Sequence, residues 1–342
     1  MKLVLTTAAL AAFGLCLVGQ EAPPAAPPKK KMGQRIVRPG VPDPAVQRKM
    51  ADLKPIVEVS VPGVPDWQVI TKDAFYVSNG PKNTLHRIDA KTHEQTTIEV
   101  GKRPCSGLAE GFGSVWVPLC GERGTGEGKG VARVDQKTLK VIATIPAGPW
   151  DSEGQIAASK EAVWVVTDKS STLAKIDPKT NKVVAEVKIA PGSVSPLFYE
   201  GFIWVASNES SKLIQVDPKK AVVVKEIETG PKPRFLTGGA GSVWTLNQGD
   251  GTVSRIDVKT GQVSATIQAG IPGGGGEATF GGGYVWFTAF DFPITQIDPK
   301  TNKVVRQWAG PGGDAIRYGH GSVWLSNLRQ QNIWRLDLSK MD

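Results

Sequence analysis

The sequence predicts an all-β fold, a seven-bladed β-propeller with four antiparallel strands in each blade. A segment of about 40 residues occurs seven times in the 342-residue chain, and its consensus reads SVW(V/T/L) followed by (R/K/Q)(I/V)DPKTNKVVATI. Each repeat consists of short β-prone runs separated by turn residues, which is typical of a propeller. The last repeat lacks a fourth strand, and a strand-like segment precedes the first repeat. The aromatic residue of the repeat is found at Tyr76, Trp116, Trp164, Trp204, Trp244, Trp286 and Trp324. The aspartate is found at Asp89, Asp135, Asp177, Asp217, Asp257, Asp298 and Asp337.

The third repeat shows how one blade is encoded. Residues 155–159 are a short run of small side chains, and residues 162–167 are aromatic and β-branched. Residues 172–177 and 182–189 alternate apolar and polar side chains, as half-buried strands do. Between them, Pro178 presets a turn and Asn181 tolerates a left-handed backbone. We expect the repeated aspartates to accept backbone N–H groups in these turns, and the repeated aromatics to pack between blades.

The two ends of the chain are predicted to complete one blade together. The seventh repeat supplies its strands up to Asp337 and then ends. Residues 55–61, PIVEVSV, read as a fourth strand with nothing before it. Pairing them with the last repeat closes the last blade with the N-terminal strand and removes an exposed sheet edge. Residues 55–342 are therefore predicted to be one propeller domain.

The residues before the propeller read as a secretory signal and a linker. Residues 1–20 have a basic start, a short apolar run and small residues near the end, which predicts a signal peptide and a periplasmic or secreted bacterial protein. Leu15 precedes Cys16 where lipidation requires a small residue, which argues against a lipoprotein. Residues 21–54 are rich in Pro, Lys and Arg and predict an extended tether, with a possible short helix over residues 43–53. No transmembrane span is expected after signal removal.

The positive charge is concentrated in this N-terminal part. The whole chain carries a net charge of +9, of which residues 1–54 contribute nine basic and three acidic side chains. The propeller therefore holds only +3. A basic tether suggests contact with a polyanion, but a solvated linker is the favoured interpretation, and nucleic acid is not an expected partner.

Two cysteines remain after signal removal, Cys105 and Cys120. They flank a predicted hairpin at residues 110–113, so they should face each other on adjacent antiparallel strands. In an oxidising compartment this arrangement predicts a disulfide.

Differences in repeat length indicate a functional face. Trp116 and Asp135 are 19 positions apart, against 12 or 13 in the other repeats. The extra residues fall in the loop 120–130, and two longer connections between blades contain residues 148–153 and 271–277. Because strands alternate in direction, all three loops should emerge on one face, opposite the tight turns. Variable loops on a rigid frame are the usual place for binding.

Polar residues at the tops of the innermost strands are predicted to surround the mouth of the central funnel. Carboxylates and arginines at this mouth could form a binding site for a small polar ligand. Glu153, Glu277 and Asp314 are also candidate ligands for a divalent cation, Mg²⁺ or Ca²⁺; no other cofactor is expected. The candidate ligand-binding residues are Ser106, Asp151, Glu153, Gln155, Ser195, Arg234, Glu277, Asp314 and Arg317.

The VWV…IDPKTNKVVATI unit resembles the YVTN-type repeat and, blade by blade, the virginiamycin B lyase family of seven-bladed propellers. That resemblance implies a WFTE segment, together with a His and a Glu near the funnel that serve a magnesium-assisted elimination. Here Ala289 replaces the Glu of that segment, and Pro233-Arg234 stands where the lyases have Pro-His. His86 lies in a strand, and His93 and His320 lie in turns of the opposite face. The lyase chemistry is therefore not expected, whereas a lactonase with acidic ligands, as in gluconolactonase-like propellers, stays open.

Three functions follow from these observations. The leading one is an exported, monomeric propeller that binds a small polar ligand or an envelope protein on its loop-rich face without catalysis. The alternative is a metal-dependent lyase or lactonase with its site in the funnel. The third is polyanion binding through the basic tether.

Overall fold

The computed structural model describes residues 37–341 and arranges them as seven antiparallel four-stranded blades in a ring, one of which gains a fifth strand. The predicted signal peptide and residues 21–36 of the predicted tether lie outside the described residues. No helix between residues 37 and 341 has the length and apolar character needed to cross a membrane.

The strands are numbered here in chain order. Two precede the first blade: β1 (Gln47–Lys49) and β2 (Val57–Ser60). Blade one comprises β3 (Pro65–Ile70), β4 (Ala74–Asn79), β5 (Thr84–Asp89) and β6 (Gln95–Glu99). Blade two comprises β7 (Ala109–Gly111), β8 (Ser114–Leu119), β9 (Gly130–Asp135) and β10 (Val141–Ile145). Blade three comprises β11 (Ile156–Ala158), β12 (Val163–Val166), β13 (Thr172–Asp177) and β14 (Lys182–Lys188). Blade four comprises β15 (Ser193–Tyr199), β16 (Phe202–Ser207), β17 (Lys212–Asp217) and β18 (Val222–Glu228). Blade five comprises β19 (Pro233–Gly239), β20 (Ser242–Asn247), β21 (Thr252–Asp257) and β22 (Gln262–Gln268). Blade six comprises β23 (Ala278–Gly281), β24 (Tyr284–Ala289), β25 (Phe292–Asp298) and β26 (Lys303–Ala309). Blade seven comprises β27 (Ile316–Gly319), β28 (Ser322–Asn327), β29 (Asn332–Asp337) and the N-terminal β2. Three short 3-10 helices occur within residues 37–341, at Met50–Asp52, Gly80–Lys82 and Leu338–Lys340.

The first strand of every blade lies innermost in the ring. Each first strand contacts the first strand of the next blade, from blade one round to blade seven and back to blade one. The fourth strands lie outermost except in blade six, where β1 lies outside β26. The predicted fold class, a seven-bladed propeller of four-stranded antiparallel blades, is confirmed.

The repeated tryptophan connects neighbouring blades through the basic residue of the consensus. In blade five, the Trp244 indole N–H donates to the Gly239 carbonyl at 3.0 Å, which fixes the buried ring. The Arg255 guanidinium lies 4.8 Å from that ring and donates to the Pro299 carbonyl and the Asn302 side chain in the turn of blade six, at 2.7 and 2.8 Å. We call this Trp–cation–turn contact the blade latch. Equivalent latches join Arg133 on Trp116, Lys175 on Trp164 and Arg335 on Trp324 to their next blades.

The repeated aspartates of blades one to six cap the turns between third and fourth strands, as predicted, and Asp337 caps the 3-10 helix Leu338–Lys340. Asp177 accepts the Lys179 N–H at 2.9 Å, and Asp89 accepts those of Lys91 and Thr92. Backbone N–H groups stabilise the charged form, led by Thr92 at Asp89, and lower the pKa of Asp89 to about 2. Asn181 has a left-handed backbone with φ of 56°, which the turn requires.

Strand exchange between the chain ends closes the ring, as predicted. β2 pairs antiparallel with β29, and Val57 lies opposite Arg335 while Ser60 lies opposite Asn332. Val61 is fully buried behind this strand. The pairing covers the backbone edge of β29 that blade seven would otherwise expose.

The prediction of a tether is wrong for residues 37–54. β1 adds in parallel to the outer edge of β26, with Gln47 opposite Gln307. The predicted short helix over residues 43–53 is instead β1 and the 3-10 turn at Met50–Asp52. Met50 and Leu53 are buried with Trp308 between blades six and seven. The sequence interpretation gave weight to proline and charge and missed these two anchoring apolar residues.

Truncation tests the closing strand. A chain that begins at Pro62 lacks β2 and should lose cooperative thermal unfolding, because β29 is left as an exposed edge. A chain that begins at Pro55 lacks β1 but keeps β2, and should still unfold in one transition at a lower temperature. Scanning calorimetry of the two chains and the full-length protein measures this. Equal melting temperatures for all three would contradict closure by β2.

Candidate functional site

A disulfide braces one of the long loops. Cys105 and Cys120 are bonded, with their Cα atoms 5.9 Å apart, as predicted. Cys105 N–H also donates to the Pro118 carbonyl, so the two cysteines lie on paired backbone at the open end of the β7–β8 hairpin. The loop 120–129 begins directly at this bond. Strand directions place it on the same face as the connections 146–155 and 269–277.

Four carboxyl groups gather at the mouth of the funnel on this face. They belong to Asp66, Glu153, Glu277 and Asp314, and we call them the acidic cluster. The side chains of Asp66 and Asp314 are hydrogen-bonded to each other, which requires a proton on one of them. Burial, followed by the charge of Asp314, raises the pKa of Asp66 well above its ordinary value. Burial also raises the pKa of Asp314.

Glu153 has no cationic partner close enough to restore its charge. Among residues 37–341, no Lys, Arg or His nitrogen lies within ion-pair distance of its carboxyl group. Burial, followed by the charge of Asp314, raises its pKa to about 7, and Arg234 opposes this rise only in part. At neutral pH this group is close to half protonated, and it can accept or donate a hydrogen bond.

Two arginines are each held by one carboxylate. Arg234 pairs with Asp151 at 2.7 Å. Arg317 pairs with the fully buried Glu277, whose other oxygen accepts the Ile316 N–H at 3.0 Å. Burial raises the pKa of Glu277 to about 8, against the opposing effect of Arg317. These pairs hold the mouth in a fixed geometry.

The structure brings most of the predicted residues together, but it gives three of them other positions. Ser106 is fully buried and donates to the Asp151 carbonyl at 2.7 Å, so it positions the loop. Gln155 lies deeper, with Arg317, in a central channel cavity of about 240 Å³. Ser195 is fully buried and is not accessible to a ligand.

Asp66 is not among the predicted site residues, although its position in the repeat indicates that it belongs to the site. It stands ten positions before the aromatic Tyr76. Arg234 and Asp314 stand ten positions before the aromatics of their own repeats. Aligning the repeats on the aromatic residue would therefore have added Asp66 to the predicted site.

The predicted metal-ligand set of Glu153, Glu277 and Asp314 does not form. Nowhere in residues 37–341 are three or more His, Cys, Asp or Glu side chains arranged to hold a metal ion. Glu277 is engaged by Arg317 and the Ile316 N–H, and Asp314 by Asp66. Two of the three predicted ligands, Glu277 and Asp314, are therefore engaged by protein groups.

The three histidines lie away from the acidic cluster. His86 is buried in β5 beside Thr84, Gln95 and Thr97. The turn residues His93 and His320 contact the Arg335 guanidinium and the Thr71 carbonyl, respectively. Ala289, which replaces the lyase glutamate, is a buried strand end.

The solved structures that resemble this chain confirm its fold. A streptogramin B lyase structure superposes with a TM-score of 0.65 at 15% identity, covering 82% of this chain and 96% of that chain. Hydrazine synthase of Kuenenia stuttgartiensis gives 0.64 at 14% identity, covering 83% of this chain and 98% of that chain. BamB from Moraxella catarrhalis gives 0.59 at 11% identity, covering 85% of this chain and 99% of that chain. No family model matches the sequence, and the search of curated proteins finds no match. The resemblance to lyase propellers is thus confirmed as one of fold.

The disulfide should contribute measurably to stability. Replacing Cys105 and Cys120 together by serine should lower the free energy of unfolding by about 3 kcal/mol, because the bond closes a loop of 15 residues. Urea denaturation of the variant and of the wild type with and without reductant measures this, and the reduced wild type should match the variant. Two free thiols in unreduced protein from the periplasm or medium would contradict the pairing.

Glu153→Gln should flatten the pH dependence of stability between about pH 5 and pH 7. The pKa of folded Glu153, about 7, lies above the ordinary value of 4.5. The folded protein therefore keeps a proton that the unfolded chain has lost, and the wild type loses stability as the pH rises. Gln has no titrating proton, so the variant lacks this part of the slope.

Thermal unfolding across that pH range measures the effect. Glu161→Gln removes an exposed glutamate from a turn of the opposite face and serves as the control. Equal slopes for Glu153→Gln and the wild type would show that Glu153 is ionised throughout.

Proposed function

We propose that this chain is an exported propeller that binds a small polar ligand at the acidic cluster without catalysing a reaction. The observation that carries the proposal is the set of Asp66, Glu153 and Asp314, three carboxyl groups at one funnel mouth. Within residues 37–341, none of them has a cationic side chain at ion-pair distance. Such a cluster is costly because burial and mutual repulsion oppose ionisation. A ligand that brings an ammonium group or several hydrogen-bond donors relieves that cost.

Export is part of the proposal. The signal-like N terminus supports it, and the Cys105–Cys120 bond fits an oxidising compartment. An envelope protein could supply the same ammonium group through a lysine or its N-terminal amine.

A metal-dependent lyase or lactonase is the second candidate, because the streptogramin B lyase structure shares the fold. The residues that its resemblance implies are not present, since Arg234 and Ala289 occupy the positions of the His and Glu. Glu277 and Asp314 are also engaged by protein groups. Binding without catalysis therefore agrees better with the side chains.

Polyanion binding through the basic N-terminal segment is a weaker candidate. Residues 37–54 of that segment lie against blades six and seven.

A thermal-shift panel of small amines, amino acids and amino sugars, with MgCl₂ and CaCl₂, tests the proposal. Amine-bearing compounds should raise the melting temperature. Glu153→Gln and Asp66→Asn should weaken the best compound roughly tenfold, the loss typical of a hydrogen bond to a charged group. Asp177→Asn, in a turn of the opposite face, should leave its affinity unchanged.

Two outcomes would overturn the proposal. If Asp177→Asn loses affinity while the Glu153 and Asp66 variants keep it, the ligand binds the opposite face. Stabilisation by Mg²⁺ or Ca²⁺ that Glu153→Gln abolishes would favour the enzyme instead.

A further inference from the structure

A second cavity opens on the same face, beside the acidic cluster. Its volume is about 430 Å³, within the range of small-molecule sites. We call it the basic cavity. Loops of blades four and five form one side, and the connection into blade six forms the other. Its lining residues are Asn208, Lys232, Arg234, Gln248, Gly249, Pro272, Gly273 and Gly274.

The lining of the basic cavity offers donors and positive charge. It contains two cations, Lys232 and Arg234, two primary amides, Asn208 and Gln248, and no carboxylate. Within residues 37–341, no acidic side chain lies at ion-pair distance from the Lys232 ammonium. The unneutralised charge of Lys232 therefore faces a cavity that holds no acidic residue.

Arg234 has hydrogen-bond capacity left for a ligand. Its Nη2 donates to Asp151 at 2.7 Å, whereas its Nε is buried without a partner among the described residues. A guanidinium has five N–H donors in a planar fork that matches carboxylate and phosphate. A buried donor without an acceptor is costly. A bound anion would supply the hydrogen-bond acceptor that the protein does not.

Backbone hydrogen bonds hold the cavity walls in place before any ligand arrives. Gln248 N–H donates to the Lys232 carbonyl at 3.0 Å, and Gly273 N–H donates to the Gln248 carbonyl at 2.7 Å. These bonds tie three loops together. Lys232 adopts a left-handed backbone with φ of 55°, which is unfavourable for a lysine and persists only where the surroundings impose it.

We propose that the basic cavity binds the carboxylate or phosphate group of the ligand whose cationic end occupies the acidic cluster. The ligand is then zwitterionic, with Arg234 between its two ends. Arg234 lines the cavity on one side and is held by Asp151, beside Glu153, on the other. This inference rests on the proposed function for the cationic end only, because the anion subsite stands on its own residues.

Calorimetric titration of the full protein with inorganic phosphate, and separately with acetate, tests the subsite. Lys232→Gln removes the charge and keeps most of the stem, and it should weaken binding of the preferred anion about tenfold. Lys82→Gln removes an exposed lysine from another loop of the same face and should bind as the wild type does. Ionic strength is held constant, since it screens exposed charges. The stronger of the two probes identifies a phosphate or a carboxylate ligand.

The variants separate a failed subsite from a failed fold or a failed proposed function. Lys232→Asn, whose side chain tolerates the left-handed backbone, repeats the loss if Lys232→Gln unfolds. Glu153→Gln should retain phosphate binding while losing a methylammonium probe. If neither anion binds the wild type at about 50 mM, far weaker than a millimolar site, or if Lys232→Gln binds it equally well, the subsite is wrong. If Glu153→Gln alone fails to change methylammonium binding, the subsite stands and the acidic cluster is not the ligand's cationic site.

Discussion

The buried aromatic of each repeat, which carries a blade latch at Trp116, Trp164, Trp244 and Trp324, is the contact on which the ring depends. The buried residues fall into several clusters, so adjacent blades must be joined at each interface. Here the tryptophan of one blade supports a basic side chain that donates to the turn of the next, as Arg255 does from Trp244 to Pro299. The cation–π contact and the hydrogen bonds use the same side chain, so orientation and packing are fixed together. In blades four and six, Gln215 and Gln296 occupy this position and lack the charge, so those junctions depend more on packing.

A ring joined in this way can hold the acidic cluster together although the ionisation of its carboxyl groups is unfavourable. The raised pKa values of Asp66, Glu153 and Asp314 mean that their negative charges oppose folding. Strain of this kind persists only where the surroundings impose it, and it often marks a functional site. The arginine pairs at Asp151 and Glu277 reduce the repulsion without removing it.

The sequence was sufficient to predict features whose interacting residues are close along the chain or recur in every repeat. The capped turns, the buried aromatics and the Cys105–Cys120 bond belong to this group. Pairings across the whole chain were harder. β2 was found because blade seven lacked a strand, whereas β1 made a fifth strand that no repeat required. The pairing of Asp66 with Asp314 joins blades one and seven, and the engagement of Glu277 by Arg317 is a matter of side-chain geometry that spacing does not reveal.

The repeats themselves indicate where function is free to vary. The aromatic recurs in all seven blades because it is buried in each of them, and the aspartate recurs because it caps the turn that follows. The position ten residues before the aromatic does not recur, and its occupants differ in size and charge. It lies where the innermost strand enters the funnel, and its neighbours differ from blade to blade. Asp66 bonds to Asp314, whereas Ser106 and Arg234 both bond to Asp151. The fold shared with a lyase and with BamB therefore leaves the ligand open. The seven occupants of this position are Asp66, Ser106, Gly154, Val194, Arg234, Gly276 and Asp314. Two acids and one arginine among them favour a ligand that carries both charges.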